Sequence, residues 1–75
     1  MRELVEYIAK SLVEEPDQVQ VREISSGAAV VIELRVSRED KGRIIGRQGR
    51  IANHIRNLVK VAATREGKRV TLEIV

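Results

Sequence analysis

The residues best suited to chemistry in this 75-residue chain are Ile44-Ile45-Gly46-Arg47-Gln48-Gly49-Arg50. Two glycines bracket a basic residue and an amide. A glycine lets a backbone approach another surface closely and take a positive φ without steric cost. The apolar pattern that follows is helical, and a helix beginning there directs unpartnered N–H groups and a partial positive charge at whatever docks. Arg47 and Arg50 add full charges. Such a set is made for contact with phosphate oxygens rather than for bond-making.

Charge is distributed to suit that contact. Residues 1–37 carry four bases against seven acids, a net −3, and residues 38–75 carry ten bases against four acids, a net +6. Lys41, Arg43, Arg47, Arg50, Arg56 and Lys60 occupy residues 41–60 without one acid among them. A basic segment centred on glycines is the footprint expected of a nucleic-acid site. A charge cluster alone is equally a solvated helix face, and Arg56 and Lys60 read better as that face. The glycines amid the charge point to a ligand, whereas a plain helix–helix turn explains neither Arg47 nor the charge run.

Other chemistries find little support. Tyr7 is the one aromatic, so base stacking on aromatic rings is largely closed to the chain. The sequence has no cysteine and one histidine, His54, which sits beside an apolar stripe with no acid near it in sequence. Glu14, Glu15 and Asp17 flank a proline turn and read as solvated. No nucleophile–base or metal-ligand constellation stands out, so the expectation is no enzyme, no metal and no cofactor. Gly-x-x-x-x-Gly-Lys-Ser/Thr and Gly-x-Gly-x-x-Gly are absent. Gly42-x-x-x-Gly46 spans a charged segment, unlike a membrane-packing motif. No apolar run approaches a membrane span, and the first residues alternate acids with apolar side chains, unlike a signal peptide. The expected setting is cytoplasmic, with no membrane partner.

The elements that must hold the glycines follow from periodicity. Leu4, Val5, Ile8, Ala9 and Leu12 predict an amphipathic helix over 2–14, stopped by Pro16. Residues 18–24 read as a short strand and Ser25-Ser26-Gly27 as a turn. Residues 28–36 alternate clearly, with Val30, Ile32, Leu34 and Val36 on one face and Val31, Glu33 and Arg35 on a face meeting water. Ser37 stands at a helix N-cap with Glu39 and Asp40 in the first turn. After Gly49, Ile51, Ala52, Ile55, Leu58, Val59, Ala62 and Ala63 keep helical spacing up to Gly67, a natural C′ residue. Residues 69–75 read as a last strand. The order α-β-β-α-α-β predicts one α+β domain over 1–75, three strands packed on three helices.

That order, with Asp40-Lys41-Gly42-Arg43-Ile44-Ile45-Gly46-Arg47-Gln48-Gly49-Arg50-Ile51-Ala52 at the helix–helix junction, resembles a KH domain of the type II form. Over essentially the whole chain it resembles the small stand-alone bacterial KH-domain RNA-binding proteins. The resemblance implies a mixed three-stranded sheet and single-stranded RNA as partner, gripped by a Gly-x-x-Gly loop over about four nucleotides. It implies backbone approach at Gly46 and Gly49, phosphate or 2′-hydroxyl contacts from Arg47 and Gln48, and charge toward the RNA backbone from Arg50. Ile44 and Ile45 would form an apolar floor or support the loop from the core, and Lys41 and Arg43 would lie on the approach side. It also implies self-association, or pairing with a larger multidomain RNA-binding protein that carries its own KH domain.

Overall fold

The computed structural model describes residues 1–75, with the side chain of Arg47 outside the described residues. Its elements are α1 (Arg2–Leu12), β1 (Gln20–Ser26), β2 (Ala29–Arg35), α2 (Arg38–Arg65) and β3 (Arg69–Ile74), with a 3₁₀ turn at Pro16–Gln18. The fold is the expected α+β arrangement. Within α2, Gln48 has φ +64° and Gly49 φ +70°. Right-handed helix cannot continue through two left-handed residues, so α2 is two helices end to end, and the order is α-β-β-α-α-β. We call them the first arm (38–47) and the second arm (50–65).

The sheet order is β1-β2-β3. β1 pairs with β2 antiparallel, Gln20 opposite Arg35 and Ser26 opposite Ala29, while β2 pairs with β3 parallel, Ile32 opposite Leu72. The hairpin loop is therefore Gly27-Ala28, and Gly27 at φ +60° takes the first loop position, which favours glycine in a type II′ turn. β1 starts and ends two residues later than its pattern suggested. The 3₁₀ turn opened by Pro16 uses the residues before it, and the tight hairpin carries pairing through Ser26.

Both helical elements lie against one face of the sheet. Val30, Ile32 and Leu34 of β2 meet Val5 and Ala9 of α1, Ile44 of the first arm, Ala52, Ile55 and Val59 of the second, and Leu72 of β3. Burial of such aliphatic side chains supplies roughly 1.5–3 kcal/mol each, before the entropy cost of ordering them. The opposite face, with Arg22, Ile24 and Arg35, is left to solvent. Leu58 departs from the expected stripe: it is 54 % exposed. At 100° per residue it stands roughly 100–140° round the second arm from Val59 and Ala63, which do enter the core, and so falls on the flank of the helix.

Asp40 locks the start of α2 to the turn after α1. Ser37 caps the helix by accepting the Asp40 N–H at 3.2 Å, and its hydroxyl donates to Asp40 Oδ2 at 3.0 Å. The Glu14 and Glu15 N–H groups donate to Oδ1 and Oδ2, each at 3.1 Å, and Arg43 Nη1 lies 3.2 Å from Oδ1. The carboxylate is 2 % exposed. The Glu14 N–H bond, helped by Ser37, Glu15 and Arg43, holds its pKa below the ordinary value against the opposing effect of burial. No helix among the described residues is long and apolar enough to cross a membrane.

Candidate nucleic-acid interface

The glycine loop sits where the two arms of α2 meet. Gly49 and its neighbour Gln48 are left-handed, whereas Gly46 is helical. A glutamine in that conformation is unfavourable by about 1–2 kcal/mol. Gly46 lies within the first arm, and a Cβ placed on it meets nothing within 4 Å. Neither φ nor internal packing therefore demands glycine at 46, where it weakens a helix by about 0.5–1 kcal/mol relative to alanine. What its missing side chain leaves is bare backbone on an open surface. Gly42, one turn earlier, is equally open.

Beside the loop a groove of about 480 Å³ runs between α2 and the free edge of β3. Ile45, Gly49, Ala52, Asn53 and Arg56 line the helical side, and Leu72, Glu73, Ile74 and Val75 the strand side. Ile45 is 47 % exposed and Leu72 only 4 %, so the floor is apolar and the rim polar. Arg56 Nη1 donates to Asn53 Oδ1 at 2.8 Å, which steadies both side chains on the rim. A strand edge also offers unpaired backbone N–H and C=O groups. On the other side of Asn53, Gln48, Arg50, His54 and Asn57 border a smaller depression of about 300 Å³.

The site residues read from sequence thus divide. Gly46, Gln48, Gly49 and Arg50 meet at the loop. Ile44 and Ile45, adjacent in sequence, separate: Ile44 is buried in the core and Ile45 faces the groove. Lys41 stands one turn before Ile45 on the same side of the first arm. Arg43 points elsewhere, its Nη1 3.1 Å from Glu14 Oε1 and 3.2 Å from Asp40 Oδ1, so its charge braces the fold. The Arg47 side chain lies outside the described residues. Asn53 and the β3 residues Leu72, Glu73, Ile74 and Val75 were not singled out from sequence. Arg56, read there as solvated, lines the groove. The resemblance implied a groove between the helices and a sheet edge, but not which residues of β3 form its wall. Among the described residues no cluster of metal ligands is present.

A helix, a hairpin, two helices joined by Gly-x-x-Gly and a parallel return strand define a type II KH domain. Comparison with known proteins agrees. The family model described as KhpA/KhpB, KH domain, matches residues 2–74, and the chain belongs to that family. It is 56 % identical to RNA-binding protein KhpA of Caldanaerobacter subterraneus, 53 % to that of Clostridium perfringens and 52 % to that of Clostridium acetobutylicum, in each case over 75 residues and the whole of both chains. These relatives bear the names of RNA-binding proteins, not of enzymes. No solved structure matches the chain.

Proposed function

We propose that this protein binds single-stranded RNA, clamping its phosphate backbone against Gly46-Arg47-Gln48-Gly49 and laying bases in the groove between α2 and β3, as a general RNA-binding, chaperone-type regulator. The observation that carries the reading is Gly46: a half-buried helical glycine whose missing Cβ would meet only open space, next in sequence to Ile45 of an apolar groove and within a basic segment. Backbone at Gly46 and Gly49 receives the phosphates. Arg50 and the N-terminus of the second arm supply positive potential. Ile45 and Leu72 offer aliphatic contact to base faces in place of aromatic stacking. So small a footprint gives weak sequence preference and micromolar-range affinity. With about three phosphate contacts, log K falls against log salt with a slope near −2, at ~0.7 per contact. A titration of labelled single-stranded RNA over a salt series tests this, and an affinity indifferent to salt contradicts it.

A second function is favoured by Leu58 and Val61, 54 % and 56 % exposed on the side of the second arm away from the groove. That apolar pair suits self-association or docking on a larger KH-containing RNA-binding protein, and two linked clamps gain affinity through effective concentration. Light-scattering mass tests the homodimer: Leu58→Asp with Val61→Asp gives a monomer where the wild type is a dimer.

A further inference from the structure

The groove does not stop at Arg56. Positions 53, 56, 60 and 64 advance three or four residues at a time and stay on one side of the second arm. Beyond Arg56 a second depression of about 320 Å³ opens between the same helix and the same strand edge, bordered by Lys60 and Thr64, then Lys68 and Arg69, then Thr71. Three of its bordering residues are bases and none is an acid. Lys60, Lys68 and Arg69 are exposed, and none pairs with an acid among the described residues.

A helix C-terminus ordinarily repels phosphate through its unsatisfied carbonyls. This one is closed: Gly67 N–H donates to Thr64 O at 3.1 Å and Lys68 N–H to Ala63 O at 2.9 Å, with Gly67 at φ +69°. That Schellman turn satisfies the Ala63 and Thr64 carbonyls, and the chain beyond it sets Lys68 and Arg69 at the mouth of the depression.

Building on the RNA reading above, we infer that Lys60, Lys68 and Arg69 form a second phosphate subsite for the same strand, holding nucleotides beyond those clamped at the glycine loop. Arg50, which opens the second arm beside the glycine loop, and Lys60 are ten residues apart on that helix, about 15 Å at 1.5 Å per residue. Four clamped nucleotides of a stacked strand cover about 14 Å at ~3.4 Å each, so the fifth phosphate arrives at Lys60.

The test follows backbone amide shifts of the whole protein, and fluorescence anisotropy, with oligouridylates of four and eight nucleotides. The tetramer moves amides of residues 46–53 only. The octamer moves those and residues 68–71, and binds about tenfold more tightly. Lys60→Gln with Lys68→Gln and Arg69→Gln abolishes that gain, lowers the octamer salt slope by about 2 and leaves tetramer affinity unchanged. Lys10→Gln with Arg22→Gln and Arg35→Gln removes equal charge elsewhere and keeps the gain. The inference fails if both triple variants weaken the octamer equally, or if residues 68–71 respond to a polyglutamate peptide and not to the octamer. A tetramer that binds while the octamer gains nothing overturns this subsite alone. No binding of either oligomer overturns the RNA reading and the subsite together.

Discussion

Arg56 and Asn53 are joined across one turn of the second arm, Nη1 to Oδ1 at 2.8 Å, on the rim of the groove that opens beside Gly49. With Oδ1 engaged, Asn53 offers a ligand its NH₂ donors. Asn53→Asp keeps an acceptor for Arg56 but replaces those donors with negative charge. RNA affinity falls about tenfold while the melting temperature barely moves. Arg56→Gln removes one cation and flattens the salt slope by ~0.7. Parallel anisotropy titrations at several salt concentrations check both.

Gly46 and Gly49 respond to alanine in opposite ways. Gly46 is helical and open, so Gly46→Ala stabilises the fold by about 0.5–1 kcal/mol yet weakens RNA binding, because a methyl group now stands where the strand approaches. Gly49 is left-handed, so Gly49→Ala destabilises by about 1–2 kcal/mol. Urea unfolding beside RNA titration separates the two. Equal RNA affinity in wild type and Gly46→Ala removes the main support for backbone contact at 46.

Asp40 sets an acid limit to stability. Its folded pKa is lowered, foremost by the Glu14 N–H bond, so as pH falls the unfolded chain binds its proton first. The stabilisation is complete above the ordinary carboxylate range near pH 4 and is lost as pH drops through the folded value. Glu6, lowered chiefly by its hydrogen bond to Lys10 and by that charge, acts in the same direction but is solvent-screened. Asp40→Asn lowers the midpoint of thermal unfolding at pH 7 by about 5–15 °C and flattens the acid limb. Melting curves between pH 7 and 2.5 read both effects.

Ile55 is fully buried between the sheet and the second arm. Ile55→Ala costs about 2–5 kcal/mol, a large part of what so short a chain commands, whereas Leu58→Ala costs under about 0.5 kcal/mol in the monomer. A large loss from Leu58→Ala that grows with protein concentration marks that residue as part of an interface instead.

Much of this was legible in the chain because the informative patterns are local. Alternation along β2 separates Val30, Ile32 and Leu34 from Glu33 and Arg35, and Ser37 and Gly67 mark the two ends of α2. The glycine pair announces the loop. Contacts distant in sequence were not legible. Arg43 looks like one more base of the cluster until Glu14, from the far side of the chain, takes its charge. Arg56 looks solvated until β3 comes alongside. Leu58 looks like core because helical spacing tolerates it, and only the angle at which the second arm meets the sheet turns it outward. The left-handed Gln48 ran against local preference, which favours glycine in that conformation.

The most direct test of the clamp is a titration of fluorescent single-stranded RNA against wild type and Arg47→Asp with Gln48→Asp, with folding followed by circular dichroism. Aspartate tolerates a left-handed φ better than glutamine, so the loop keeps its shape while two acids replace a base and an amide between the glycines. The expected result is a wild-type spectrum with RNA binding abolished. Equal binding by the two proteins contradicts a phosphate clamp at Gly46–Gly49.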